Sequence, residues 1–292
     1  MTDFPTFIAQ AWNDHADAPQ GVADRLEAAV AMAADESELA QLLNLAHHVH
    51  GEHLGGWPQG VAFIEGLRRA PAFSAEGPSG QTARRCIASL QLCAGETAGL
   101  DALTPSDRIR VLAMAAANLG SPEPLRAGHL LREALGLAAG SDLPAADPMN
   151  RALAVTSHNI ACTLEENPDR SADERALMIL AAQASRDRWA IAGTWLEVER
   201  AEYRLAHTWL QAGDFARART HAQACLDIVG ANEGAALERF FGWEALGLVE
   251  RAAGNATAHA QATVRAREAF EALDESDKTW CAASLDRLAA PA

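Results

Sequence analysis

Residues Thr194–Asp274 decide the fold of this chain, and they read TWLEVERAEYRLAHTWLQAGDFARARTHAQACLDIVGANEGAALERFFGWEALGLVERAAGNATAHAQATVRAREAFEALD. The stretch predicts two helical hairpins laid end to end. Each hairpin turns at a glycine followed by a short polar residue, Gly213-Asp214 in the first and Gly254-Asn255 in the second. A unit that repeats in this way is typical of arrays of helical hairpins. The four predicted helices are Trp195–Gln211, Phe215–Val229, Leu237–Ala252 and Ala258–Leu273.

The rest of the chain has the composition of further helices. Alanine and leucine supply most of its apolar residues, whereas the β-branched and aromatic residues that favour strands are scarce. Breaks rich in proline and glycine separate the helical segments, and the break at residues 140–148 marks a possible sub-boundary. We therefore predict an all-α superhelix of helical hairpins, an α-solenoid of about fourteen helices. It would span residues 1–292 as a single domain, with its best-defined repeats at 194–274. The other ten predicted helices are Phe4–Asp14, Val22–Ala34, Leu39–Leu54, Gln59–Arg69, Gln81–Glu96, Arg108–Leu119, Leu125–Ala138, Met149–Glu166, Asp173–Trp189 and Trp280–Ala289.

The hairpins carry residues in the pattern of a known repeat. The segment Trp243-Glu-Ala-Leu246-Gly247 stands on the first helix of the second hairpin, and Gly254-Asn255 follows where the turn is expected. In the first hairpin, Ala206 takes the place of a small residue and Trp209 that of an aromatic one. This pattern resembles the tetratricopeptide repeat. The period here exceeds the roughly 34 residues of a standard repeat, so the resemblance is to longer, degenerate arrays of bacterial regulators and sensors.

The resemblance implies a concave groove lined by the first helix of each hairpin. Side chains on that face are expected to grip an extended peptide through charge-assisted hydrogen bonds. A clamp for a chaperone's terminal carboxylate would need lysine and asparagine at set places, whereas these positions offer mainly histidine, glutamate and arginine. The implied partner-binding residues are Glu52, His53, Arg110, Asn118, His158, Glu165, Arg200, Tyr203, His207, Glu244 and Arg251.

A histidine cluster is the sharpest local feature, and it reads Ala46-His47-His48-Val49-His50-Gly51-Glu52-His53. On an α-helix, His47, His50 and His53 would share one face, and His48 would lie over Glu52 on another. Imidazoles at this spacing are able to bind zinc, nickel or copper. The cluster is not an H-E-x-x-H motif, and the neighbouring sequence offers no obvious further ligand. A polar seam between helices and a pH-responsive or ligand-contacting role stay open beside a metal site.

The net charge restricts the class of partner, and the cysteine pattern argues against zinc ribbons and disulfides. The formal net charge of −15 argues against nucleic acid and against an anionic membrane surface, and it favours a basic or neutral partner. The five cysteines are scattered without a C-x-x-C pair, so we expect small buried core residues rather than a zinc ribbon or disulfides. Most of the five tryptophans in the C-terminal third are expected to pack between helices, while a place in a binding groove stays open for Trp195 with Arg200 and Tyr203.

Catalytic signatures are missing from the sequence. It has no phosphate-binding loop, dinucleotide-binding glycine motif or nucleophile elbow, so we expect no enzyme and no cofactor. The first hypothesis is an interaction scaffold that binds a peptide or protein segment in its groove. The second is a ligand- or peptide-sensing regulator that acts through a partner, and the third is a metal protein built on the histidine cluster. With no apparent signal peptide or membrane-spanning run, we expect a cytoplasmic protein, and a homodimer stays open.

Overall fold

A computed structural model describes residues 3–97, 99–233 and 235–290. Within these ranges the chain forms fourteen α-helices and one π-helical turn, with no strand. The prediction of an all-α fold of about fourteen paired helices is confirmed. No helix in the described part is both long and apolar enough to cross a lipid bilayer. The helices divide into two compact units, Met1–Leu143 (the N-terminal unit) and Pro144–Ala292 (the C-terminal unit).

The two units share a simple arrangement in which helices adjacent in sequence pack on each other. The N-terminal unit contains α1 (Phe4–Asp14), α2 (Pro19–Val30), α3 (Glu36–His48), the π-helical turn Val49–His53, α4 (Trp57–Leu67), α5 (Pro78–Cys93), α6 (Pro105–Asn118) and α7 (Pro124–Ala139). The C-terminal unit contains α8 (Pro148–Glu166), α9 (Ala172–Ala192), α10 (Trp195–Gln211), α11 (Phe215–Ala231), α12 (Ala236–Ala252), α13 (Ala256–Glu271) and α14 (Glu275–Ala289).

Prolines and capping side chains mark where many of these helices begin. Every helix from α1 to α8 except α3 has a proline in its first turn, where the missing N–H group has no intrahelical partner to lose. Helices α9 and α10 begin with capping boxes, Ser171 with Glu174 and Thr194 with Glu197. Asp274 caps α14, so this helix starts at Glu275, five residues before the predicted start at Trp280. Proline and side-chain caps therefore fix the positions at which the helices begin.

The predicted turns and close contacts of the C-terminal unit are present. Gly213 and Gly254 have φ angles of 81° and 73°, a left-handed conformation that glycine adopts without a steric penalty. Ala206 packs in a small-residue cluster that joins α10, α11 and α12. A Cβ atom at Gly247 would lie 2.6 Å from Leu288, so the glycine of the repeat-like motif lets α12 approach α14 closely. These positions explain why small residues recur along the stretch that decides the fold.

The histidine cluster differs from the predicted continuous helix. Helix α3 ends at His48, and residues Val49–His53 form a π-helical turn in which the N–H of Leu54 donates to the carbonyl of Val49. The wider turn changes which side chains meet, so the predicted face of His47, His50 and His53 is not formed. His47 points into the core and His50 packs near Phe63, while His53 lies against His48.

Gly51 allows the π-helical turn to pack against α6. Its backbone lies so close to Asn118 that a Cβ atom would come within 2.4 Å of the amide oxygen. The Asn118 amide also lies 3.3 Å from His47 Nε2, and the Ser89 hydroxyl lies 3.1 Å from the same nitrogen. Burial lowers the pKa of His47 to about 4, so this imidazole stays neutral inside the unit. Asn118 therefore packs on the turn at Gly51 and contacts His47 near the end of α3.

Replacing Gly51 with alanine is expected to destabilise the N-terminal unit by about 1–3 kcal/mol, because the new methyl group forces Asn118 out of its contact. Gly136→Ala is the matched control, since Gly136 is exposed within α7 and a Cβ atom there meets no neighbour. That control is expected to stabilise the chain by up to about 1 kcal/mol. Urea unfolding followed by circular dichroism measures both changes. Equal effects of the two substitutions would contradict the close contact.

Candidate functional site

A cleft of about 450 Å³ in the C-terminal unit brings together three of the predicted residues, His158, Arg200 and Tyr203. Helix α10 lies between α8 and α12 and supplies one wall through residues spaced three and four apart. Helix α12 supplies the opposite wall in the same way, and α14 adds Trp280. The lining residues are His158, Glu199, Arg200, Tyr203, Arg204, Leu237, Glu238, Phe241 and Trp280.

Aromatic side chains form one side of the cleft. The ring centroid of Tyr203 lies 5.5 Å from that of Phe241, and the Phe241 centroid lies 5.3 Å from that of Trp280, both with edge-to-face geometry. Trp280 is 66% exposed. A large exposed indole beside two further rings provides apolar surface that a ligand is able to cover.

Two buried glutamates form the polar part of the cleft. Glu238 accepts a hydrogen bond of 3.1 Å from Arg200, whose side chain is mostly exposed. Glu199 is only 2% exposed, and its Oε1 atom has no hydrogen-bond partner among the described residues. Burial, and next the negative charge of Glu238, raise the pKa of Glu199 to about 7. The cleft therefore holds a carboxylate that lacks a positive partner of its own.

Helix α8 contributes a neutral pair of side chains. His158 Nε2 lies 3.3 Å from the sulfur of Cys162. Burial, and next the positive charge of Arg204, lower the pKa of His158 to about 4, while burial raises the pKa of the Cys162 thiol. A nucleophilic cysteine needs the opposite shifts, a depressed thiol pKa beside a protonated imidazole. The geometry therefore favours a structural or ligand-contacting pair over a catalytic dyad.

Glu165 does not line the cleft, and it is not exposed on the surface of its helix. Its carboxylate accepts hydrogen bonds from Arg204 and from the hydroxyl of Thr208, which fastens α8 to α10. The side chain of Glu165 is 8% exposed. This ion pair fixes the direction of Arg204 along the cleft wall and leaves Glu165 no free oxygen for a partner.

Glu244 and His207 belong to a buried network behind the cleft. Glu244 is fully buried, and its carboxylate accepts hydrogen bonds from Arg287 at 2.6 Å and from the Tyr203 hydroxyl at 3.2 Å. His207 stacks near Tyr203 and its Nε2 atom lies 3.5 Å from the same carboxylate. Burial would raise the pKa of Glu244, but the hydrogen bonds and charges of His207 and Arg287 lower it. The network orients the Tyr203 ring.

Arg251 forms hydrogen bonds to the end of α14, the helix that carries Trp280. Its guanidinium donates to the carbonyl oxygens of Arg287 and Ala290 at 2.7 and 3.1 Å. Because the last carbonyls of a helix have no intrahelical donor, these two hydrogen bonds satisfy the end of α14. Arg251 thus positions a wall of the cleft without lining it.

The other implied residues lie in the N-terminal unit. Asn118 is 1% exposed and serves the buried polar contact described above, so burial removes it from any partner-facing surface. Arg110 lies 3.4 Å from Asp107 on its own helix. Glu52 is half-buried; burial would raise its pKa, but the hydrogen bond and charge of His48, with His47 and His53, lower it. Only His53 among these four is an exposed residue.

A larger hollow of about 590 Å³ also lies in the N-terminal unit, and it contains none of the implied residues. It is formed by the segment before α6, the start of α6 and the end of α7. Its two carboxylates, Asp101 and Asp142, belong to exposed residues. Exposed carboxylates offer little to select a ligand, so we place the candidate site in the C-terminal unit.

Six residues that line the cleft are not among the implied ones: Glu199, Arg204, Leu237, Glu238, Phe241 and Trp280. All except Trp280 share a helix with an implied residue, and Trp280 lies on α14, which carries none. A signal was present for Glu199, because it stands four residues before Tyr203 and therefore on the same side of α10.

The fold and the cleft together define the class, an all-α protein of paired helices with one aromatic and acidic cleft in its C-terminal unit. No protein-family model matches the chain, and no curated protein matches it either. The cleft itself must therefore carry the functional argument.

Proposed function

We propose that this chain is an interaction protein whose C-terminal unit binds a peptide segment through a basic side chain of that peptide. The observation that carries the proposal is the buried carboxylate of Glu199, which faces a cleft walled by Tyr203, Phe241 and Trp280. Ionising a buried carboxyl without a counter-charge is unfavourable. A lysine or arginine from a partner would supply that counter-charge.

The apolar walls of the cleft match the aliphatic part of a lysine or arginine side chain. The long aliphatic part of a lysine or arginine covers apolar surface well, and the rings of Phe241 and Trp280 provide it. The faces of these rings also attract a cation. Arg200 pairs with Glu238 and Arg204 with Glu165, so neither forms an ion pair with Glu199, and the charge of Arg200 offsets only part of the rise in the pKa of Glu199. The net charge of −15 would further favour encounter with a basic segment.

Selection from a random peptide library on the immobilised chain tests the proposal. Peptides enriched on the wild type are expected to contain lysine or arginine near an apolar residue. Calorimetry should show that Trp280→Ala weakens binding of a selected peptide about 10-fold or more, because the indole is a large aromatic surface that is 66% exposed at the cleft.

Arg265→Ala is the matched control, because Arg265 is exposed on α13 and is not among the residues that line the cleft. It should leave the affinity within about twofold, as expected for an exposed charge outside the contact. Enrichment of peptides without basic residues, or equal affinities for the wild type and Trp280→Ala, would reject the proposed site.

The size of the cleft favours a second candidate, a regulator that senses a small cationic ligand. Its volume of about 450 Å³ lies within the range of small-molecule sites, roughly 300–1,000 Å³. Arginine amide is a suitable probe, since it has the cation without the flanking peptide. Saturable binding of this compound with a change of radius in small-angle scattering would support sensing. Binding of selected peptides alone would support the interaction protein.

A further inference from the structure

Three histidines from two segments of the N-terminal unit meet at one point. One ring nitrogen from each of His15, His48 and His53 lies within 4.8 Å of the others. The Nε2 atoms of His48 and His53 are 3.1 Å apart, and the ring centroid of His15 lies 4.9 and 5.0 Å from the other two. Nothing in the cleft of the C-terminal unit uses these residues.

The local structure explains how they meet. In a π-helical turn, residues five apart come to the same side, which brings His53 over His48. His15 directly follows α1 and reaches the same point from the other side. Trp12 packs at 5.2 Å from both His15 and His48 and covers the cluster on one side. A regular α-helix after His48 would separate these rings.

Two of the imidazoles are already oriented through their Nδ1 atoms. His48 Nδ1 donates to the Glu52 carboxylate at 2.9 Å, and His15 Nδ1 donates to the carbonyl of Trp12 at 2.5 Å. A neutral imidazole that donates through Nδ1 presents a lone pair at Nε2. Metal-binding histidines are commonly held in this way, with the second ring nitrogen bonded to a carboxylate or a backbone carbonyl.

We propose that His15, His48 and His53 form a binding site for a divalent transition cation of the zinc class. Three imidazoles are a familiar ligand set for such ions. Two nitrogens bound to a tetrahedral zinc at about 2.0–2.1 Å lie about 3.3 Å apart, close to the 3.1 Å between His48 and His53. His53 is exposed, so its ring has room to adjust toward the other two.

The site leaves a fourth coordination position to solvent. His53 is exposed, and no fourth ligand from histidine, cysteine, aspartate or glutamate joins the cluster among the residues that the structure describes. Glu52 acts as a positioning residue, because its carboxylate contacts His48 and not the ion. The bound ion would fasten the end of α1 to the π-helical turn. Since an unfolded chain lacks this arrangement, the ion should stabilise the N-terminal unit.

Titration of the full chain, freed of metal with a chelator, with Zn²⁺ and separately with Co²⁺ tests the site. One equivalent of either ion is expected to bind, with a Co²⁺ spectrum of nitrogen ligands. His53→Ala is the sharpest variant, since this exposed side chain contributes little to the fold, and it should weaken binding on the order of 100-fold. Glu52→Gln should weaken binding about 10- to 100-fold while keeping one equivalent.

Two control variants distinguish Zn²⁺ binding at this site from Zn²⁺ binding at other histidines or cysteines. His129→Ala removes an exposed histidine outside the cluster, and Cys162→Ser removes the one cysteine that is not fully buried. Both should bind Zn²⁺ as the wild type does, and Zn²⁺ should raise the melting temperature of both but not of His53→Ala. Wild-type affinity in His53→Ala, loss of binding in Cys162→Ser, or no binding of either ion to the wild type would overturn the proposal.

Discussion

Replacing Glu199 with glutamine is expected to stabilise the C-terminal unit by about 2–3 kcal/mol at pH 8 and to weaken peptide binding. Burial and the charge of Glu238 raise the pKa of Glu199 from its usual 4.5 to about 7. The native state then holds this proton more tightly than the unfolded chain does, so stability falls as the pH rises from about 4.5 to about 7. At about 1.36 kcal/mol for each pH unit, the loss approaches 3 kcal/mol above pH 7.

Urea unfolding of both proteins between pH 5 and pH 8 measures this effect. The stability difference between Glu199→Gln and the wild type should grow across the range and level off above pH 7. His158 changes wild-type stability in the opposite direction, because its pKa of about 4 makes stability rise with pH up to about 6.5. Taking the difference between two proteins that both keep His158 cancels that contribution.

The matched control for this series is Glu268→Gln. Glu268 is more than half exposed and pairs with the exposed Arg265, so its replacement should change stability by less than about 0.5 kcal/mol at either pH. A flat difference curve for Glu199→Gln, or a less stable protein at pH 8, would contradict the description of Glu199 as a buried carboxylate without a partner.

If Glu199→Gln stabilises the fold and weakens peptide binding, the carboxylate of Glu199 serves the ligand and not the fold. A carboxylate that destabilises its own fold at neutral pH is retained in a cleft when its charge serves a ligand. Binding of a cation would displace the proton from Glu199, so the affinity of a basic peptide should rise as the pH rises through about 7. That pH dependence should vanish in Glu199→Gln, which ties the stability measurement to the proposed function.

The sequence predicts the helices well because their signals are local. Proline in a first turn, a capping side chain and a left-handed glycine such as Gly213 each act within a few residues, so the chain alone reveals them. Gly247 is a further example, since its need for a small side chain shows in the repeat-like motif. The helices therefore follow from spacing and composition.

The π-helical turn does not follow from the sequence in the same way. Residues Val49–His53 have no proline and would fit an α-helix, and the turn is supported by the packing of Asn118 on Gly51 from another helix. His15 likewise lies far from His48 along the chain, so only the tertiary fold shows that they meet. Contacts between distant segments decide both features.

The candidate site was only partly predictable for a related reason. Spacing along a helix places Arg200 and Tyr203 on one face but cannot show which face of α10 meets a neighbouring helix. Glu244 and Arg251 sit at implied groove positions, yet one is buried and the other bonds to carbonyl groups at the end of α14. Polar residues on the implied groove face thus include buried residues and residues held by internal hydrogen bonds, and spacing along a helix does not separate these from exposed ones.

The internal ion pair between Arg287 and Glu244 should have a large effect on stability when it is broken from one side. Arg287→Ala leaves Glu244 charged, fully buried and without its closest cation. Breaking a buried pair in this way costs about 3–5 kcal/mol, and we reduce the expectation to about 2–3 kcal/mol because Arg287 is itself 56% exposed. Glu244→Gln should cost less, since the remaining guanidinium is able to reach water.

A double-mutant cycle at two pH values isolates this interaction. The double variant Glu244→Gln/Arg287→Ala should lose less than the sum of its single variants, with a coupling energy of about 1 kcal/mol or more. Because hydrogen bonds and charges lower the pKa of Glu244, the stability from this pair is present above pH 4.5 and is lost as the pH falls further. The deficit of Arg287→Ala should therefore shrink in acid, as protonated Glu244 needs no counter-charge.

Arg265→Ala, which breaks an exposed pair, should cost no more than about 1 kcal/mol. Additive single effects, or an Arg287→Ala deficit that ignores pH, would mean that Arg287 does not stabilise the buried charge of Glu244.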